Sequence, residues 1–156
     1  MSKSIKRVRA ALEAAAIKVD ILEMSEGTHT AADAAQAAGC HIDQIAKSII
    51  FKGEISGNAI LFLTAGGNQV DGEKAQKLAG EPLGKADASL IRAQTGFAIG
   101  GVAPIGHLSP IRAFFDARLM AFETVWAAAG TPRHVFEASP QALIKASGAL
   151  PGDFTV

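Results

Sequence analysis

Lys47-Ser48-Ile49-Ile50-Phe51, a glycine-bounded turn from Gly53 to Gly57, and Ala59-Ile60-Leu61-Phe62-Leu63-Thr64 decide how this chain is read. Two short apolar runs rich in β-branched and aromatic residues, separated by turn chemistry, read as a hairpin. Neither run alternates strongly between apolar and polar, so the hairpin belongs at the centre of a sheet covered on both faces.

Upstream, Ile5, Val8, Ala11, Leu12 and Ala15 recur at helical spacing over residues 3 to 16, which predicts an amphipathic first helix. Its basic residues Lys3, Lys6, Arg7 and Arg9 read first as a solvated face, with weak local contact to RNA as the alternative. Ile17, Val19 and Ile21 then alternate, predicting a half-buried strand over 17 to 22, and Ser25-Glu26-Gly27 reads as a turn. Thr30 followed by Asp33 forms a capping signal for an alanine-rich helix that Gly39 ends, and residues 41 to 46 read as a further helical turn.

Downstream, Asp71 and Asp87 cap helices that Gly80 and Gly96 terminate. Strands are expected at Ala113 to Asp116, Ala121 to Ala127 and, as the last one, Val135 to Glu137; Ser139-Pro140 opens a closing helix to Ser147. Strands follow one another without crossover helices, which excludes a doubly wound sheet. The expected architecture is a single α/β domain over residues 1–156, a mixed, partly barrel-like sheet with flanking helices.

Bulk properties narrow the function. A chain of 156 residues can bury roughly two thirds of its unfolded surface without staples. Its one cysteine, Cys40, has no partner in the chain, so a reduced, cytosolic setting is expected. Neither a signal sequence nor a run near the ~20 apolar residues of a membrane span is seen. Fifteen basic residues against fifteen acidic ones argue against a sequence-independent grip on nucleic acid.

Two features offer chemistry. Lys47 heads an apolar strand, where partial burial strengthens a lysine's hold on an anion or carbonyl oxygen, although a strand-end lysine more often reaches out to water. Gly100-Gly101-Val102-Ala103-Pro104-Ile105-Gly106-His107 fixes a rigid turn whose backbone a ligand could approach closely, or which simply joins two strands. No Gly-Lys-Ser/Thr follows it, and no G-x-G-x-x-G is present. His29, His41, His107 and His134 lack metal-ligand spacing, so no metal is expected; His107 is the one beside the turn, though a surface position is the ordinary reading. Ser48 and Thr30 have local explanations as a strand residue and a helix cap, and Cys40 has no base near it in sequence.

Three blocks, Thr28 to Ala35, Gln44 to Phe51 and Gly100 to Gly106, together resemble the YbaK and prolyl-tRNA synthetase editing-domain family, over most of the chain from Val19 to the last helix. That resemblance implies a free-standing aminoacyl-tRNA deacylase that needs no cofactor or metal. It would act on the 3′ acceptor end of misacylated tRNA, usually proline tRNA, with prolyl-tRNA synthetase as a candidate partner. It further implies that Lys47 is essential and that Gly100 and Pro104 form a G-x-x-x-P motif around the terminal adenosine, with Thr30, Ser48, Gly101, Val102, Ala103, His107, Gly130 and His134 as substrate-side candidates. Cysteine-clearing members carry an aspartate near the turn where this chain has Val135, so alanine or 2-aminobutyrate is the expected amino acid. The competing readings are a non-catalytic module that binds a tRNA or nucleotide end, and a DNA-binding regulator, which zero net charge disfavours.

Overall fold

The computed structural model describes residues 2–25, 28 and 30–156. Its helices are α1 (Lys3–Ala14), α2 (Ala31–Ala38), α3 (Gly72–Ala79), α4 (Ala88–Thr95) and α5 (Pro140–Ser147). The strands are β1 (Ile21–Glu23), β2 (Ile45–Gly53), β3 (Ala59–Ala65), β4 (Leu83–Lys85), β5 (Arg112–Asp116), β6 (Val125–Ala128), β7 (His134–Ala138) and β8 (Leu150–Gly152).

Helix ends follow the local chemistry. Thr30 and Asp33 satisfy each other's amides in a reciprocal capping box, and Gly39 closes α2 at a φ of 71°. The side chains of Asp71, Asp87 and Ser139 accept first-turn amides in the same way, and Gly80, Gly96 and Gly148 end those three helices in left-handed conformations.

One mixed sheet runs β1-β7-β6-β2-β3-β5-β8, with β4 also paired to β2. The β2/β3 hairpin lies at its centre, and every residue of β3 is buried. One face carries Leu61, Leu63, Phe115 and Phe136 against Val8 and Leu12 of α1, Ile91 of α4 and Leu143 of α5. The other carries Ile60, Phe62 and Phe114 against Ala75 and Ala79 of α3 and Phe154 near the C-terminus. There Phe62 stacks on Phe114 at 5.2 Å and meets Phe154 edge-on at 5.0 Å. The result is a mixed α/β domain with flanking helices on both faces.

Several sequence expectations are corrected. The strand expected at 17 to 22 covers only Ile21–Glu23, because β7 offers just three paired positions; Ile17 and Val19 still pack against the core. The helical turn expected over 41 to 46 shrinks to Ile42–Gln44, and β2 starts at Ile45, so Lys47 lies inside the strand rather than at its head. The strand expected from Ala121 begins at Val125, since the Asp116 carboxylate caps a 3-10 turn over Ala117–Ala121. β7 is not the last strand: β8 follows α5, and β4 precedes α4. Both are three residues long and contain glycine or proline, which hides them from pattern reading. The expected turn at Ser25-Glu26-Gly27 falls partly, and His29 wholly, outside the described residues.

Candidate functional site

The site arises from how β2 is shared. β3 takes one edge of β2 from Ala46 to Lys52, while the other edge is divided between β6 at Ile45 and Ala46 and β4 from Phe51 to Gly53. Residues 47–50 therefore have no strand partner on that edge among the described residues. Register places Lys47 opposite Thr64 and Ser48 opposite Leu63, so the two side chains leave opposite faces of the strand, and only at an uncovered edge can both meet one cavity. A cavity of about 290 Å³ opens there, between α2, the start of β2, the end of β6 and the 100–102 segment.

Lys47 is half-buried, and its Nζ donates to Gly66 O at 3.3 Å. Gly66 O is its one hydrogen-bond acceptor among the described residues, and no carboxylate pairs with it there. An ammonium has three N–H donors, so the group keeps capacity for a ligand.

The acceptor is itself held. In the Ala65-Gly66-Gly67-Asn68 turn, Asp116 Oδ2 accepts from Ala65 N and from Asn68 Nδ2, each at 3.0 Å. Asp43 Oδ1 accepts from Gly67 N at 2.9 Å, and its Oδ2 pairs with Arg118 Nε at 2.9 Å. Burial pushes the Asp43 carboxyl up, but the Arg118 hydrogen bond, the Gly67 amide and the Arg118 charge outweigh it and hold the pKa below the ordinary carboxylate value. A Cβ on Gly66 would lie 2.4 Å from Ile42 O, so this position needs glycine.

The opposite wall is the glycine-proline segment. Gly100 has a φ of 87°, and a Cβ on Gly101 would fall 2.6 Å from the Thr131 backbone, so the two loops touch main chain to main chain. Ser48 Oγ donates to Val102 O at 2.7 Å and ties this wall to β2. Ala103 O is engaged by His107 Nε2 at 2.7 Å. Burial, with the nearby Arg7 charge adding to it, lowers the His107 pKa against the opposing effect of that hydrogen bond. The imidazole is thus neutral at pH 7, and Nε2–H is the donor. His107 is partly buried, not the surface histidine expected from sequence.

Of the residues singled out in the sequence, Lys47, Thr30, Ser48, Gly100, Val102 and His134 line this cavity. Gly101, Ala103 and Gly130 are buried outside its lining, while Pro104 and His107 border a separate, wider groove between α1 and α5. His134 Nδ1 is hydrogen-bonded to the Thr131 hydroxyl at 2.6 Å, and Arg133 is held by Glu23 at 2.8 Å. Val135, read from the sequence as bearing on the amino acid cleared, and its turn neighbour Thr131 also line the cavity; Met24 and Trp126 line it too and escaped sequence reading, because tertiary packing alone brings them there. Cys40 is not among the lining residues; burial, then the charge of Glu137, raises its thiol pKa, the reverse of what a nucleophile needs. The described residues contain no cluster of three metal-ligating side chains and no helix able to cross a membrane.

The cavity thus sets the Lys47 side chain across from the Gly100–Val102 wall, with the hydrogen-bonded Thr131 hydroxyl and His134 imidazole in the same lining. The profile of the aminoacyl-tRNA editing domain matches residues 25–146, which span α2, both cavity walls and all but the end of α5. The chain belongs to that family. Among its relatives, the uncharacterized protein YwhH of Bacillus subtilis strain 168 is 32% identical over 124 residues, covering 80% of this chain and 78% of that one. The solved structure of a candidate trans-editing enzyme for prolyl-tRNA synthetase shares 44% identity at a TM-score of 0.93, over 100% of this chain and 99% of that one. The hypothetical protein APE2540 shares 27% at a TM-score of 0.86, over 96% and 99%. The editing domain's mixed sheet and flanking helices are thus those seen in this chain.

Proposed function

We propose that this protein hydrolyses the ester of misacylated tRNA in trans, on proline tRNA carrying a small wrong amino acid such as alanine or 2-aminobutyrate. The observation that carries the reading is Lys47, which lines a small cavity together with Gly100 and Val102 within the span of the editing-domain match. The solved relative named as a candidate trans-editing enzyme for prolyl-tRNA synthetase supports the choice of tRNA.

The chemistry asks for little. Water adds to the ester carbonyl, the bond to the terminal ribose oxygen breaks, and the free amino acid and the tRNA hydroxyl are released. A methylene is worth only ~1–3 kcal/mol in a synthetase pocket, so a second hydrolytic sieve is useful for side chains no larger than proline. Lys47 holds the terminal phosphate or the ester oxygens, where charge develops. With the Val102 and Ala103 carbonyls already engaged by Ser48 and His107, acceptors at the Gly100 end orient substrate and water. The substrate's own ribose hydroxyl assists proton transfer. A volume of about 290 Å³ sits at the bottom of the ~300–1,000 Å³ range of ligand pockets. That suits a small aminoacyl group with part of its ribose, the rest of the acceptor end lying outside. Val135 and Met24 give the cavity an apolar lining for such a side chain.

This reading places the protein in the cytoplasm with aminoacyl-tRNA, and with prolyl-tRNA synthetase as a candidate partner. A deacylation screen over proline tRNA charged with Ala, Cys, Ser, Pro and 2-aminobutyrate tests it. Turnover of the Ala or 2-aminobutyrate ester is expected, and binding without turnover of any ester would contradict it.

A further inference from the structure

The basic face of α1 reads from sequence as solvated, yet one of its residues reaches across the molecule to the cavity wall. Arg7 Nη2 donates to Gly96 O at 2.7 Å, and its Nε donates to Gly106 O at 2.9 Å. One planar guanidinium therefore joins the two ends of the segment that contains Gly100, Val102 and Pro104. Both acceptors sit on glycines in left-handed conformation, at φ values of 80° and 81°, where the chain turns. The same guanidinium lies over the Phe97 ring at 4.4 Å, and Phe97 is fully buried.

A second contact of α1 acts on the adjoining loop. A Cβ built on Gly130 would lie 3.0 Å from the Ser4 backbone, so the first turn of the helix rests on the chain leading into Thr131 and Pro132. Those two residues are the ones that Gly100 and Gly101 approach. Helix α1 thus grips both loops of the wall, although it lies outside the stretch matched by the family profile.

We propose that Arg7 is a positioning residue, stapling the 96–106 segment so that the Gly100–Val102 wall keeps its place opposite Lys47 and Ser48. It touches no substrate. Charge-assisted donors in a fixed fork suit two carbonyls at once, which a lysine's single ammonium does less well. The catalytic part of this proposal rests on the deacylase reading, while the staple itself does not.

The test compares wild type with Arg7→Met, which keeps the packing of the stem, and Arg7→Lys, which keeps the charge, at a temperature where all three are folded. Both kcat and KM are measured on mischarged proline tRNA, together with amide hydrogen exchange along the chain. Arg7→Met should lower kcat about 10²-fold with KM changed less than about threefold, the effect of a displaced but still occupied site. Exchange should rise across residues 97–106 and stay at the wild-type level in Ile45–Gly53 and Ala59–Ala65, with Arg7→Lys intermediate in both readouts. Wild-type kcat and exchange in Arg7→Met would overturn the proposal, as would faster exchange spread evenly over the chain. If wild type turns over none of the esters, the deacylase reading fails, and the exchange pattern alone decides the staple.

Discussion

The two walls of the cavity are built differently. Lys47 and Ser48 stand on a nine-residue strand whose other edge pairs with β3 from Ala46 to Lys52. Gly100 to Val102 stand on a loop with no ladder, placed by Ser48 on one side, by the Thr131 main chain on another and by Arg7 at both ends. The first wall draws its position from cooperative backbone pairing, and the second from a handful of side chains and glycines. A strand can present a charge reliably, whereas a loop can bring bare backbone against a ligand, and the proposed ester site needs both.

That contrast can be broken at the loop with the largest effect. Gly101→Ala places a methyl 2.6 Å from the Thr131 backbone, which cannot swing aside as a side chain would. Deacylation should fall about 10²-fold, because a shift of about 1 Å at the wall is enough, and overpacking should lower stability by about 1–3 kcal/mol in a urea titration. Full activity in this variant would mean that the wall does not depend on loop contact.

The strand side is probed through the acceptor of Lys47. Asp116 is 4% exposed and takes N–H groups from Ala65, Asn68 and Arg118. Asp116→Asn sets an amide among donors, and leaving buried groups unsatisfied should cost about 1–3 kcal/mol. Global stability should drop more than kcat does, since Lys47 itself remains on the strand. A large kcat loss at unchanged stability would show that the turn, and not the strand, places the lysine.

The smallest effect comes from pH. The folded His107 pKa lies below its ordinary value of 6.5, so the folded state binds fewer protons than the unfolded chain as pH falls through 6.5. Stability contributed by the neutral ring is therefore complete above pH 6.5 and declines below it. Asp43, also lowered, adds its own loss only as pH falls below its ordinary value of 3.8. Denaturation midpoints between pH 7.5 and about 5 should show the first decline, and His107→Gln should flatten it.

Much of the scaffold was legible in the chain because it is local. Thr30, Asp71, Asp87 and Ser139 announce helix starts by side-chain chemistry acting within one turn, and the two hairpin strands announce themselves by composition. Strand order was not legible, since β6 pairs with β2 in parallel across nearly the whole middle of the chain. The site followed the same division. Lys47 and the glycine-proline turn stood out as residues, but nothing in the local sequence says that Pro104 and His107 face the far groove while Trp126 and Val135 face the cavity. Arg7 was misread for the same reason, its partners being 89 and 99 residues away.

The most direct measurement is the rate of ester hydrolysis on proline tRNA charged with alanine, by wild type and by Lys47→Ala at equal folded concentration. Lys47 is half-buried and bonded to a single backbone oxygen, so its removal should leave the fold intact. The account predicts wild-type turnover and a fall of about 10²–10³-fold in the variant, the scale of losing one donor that stabilises developing charge. Equal rates for the two proteins would contradict it.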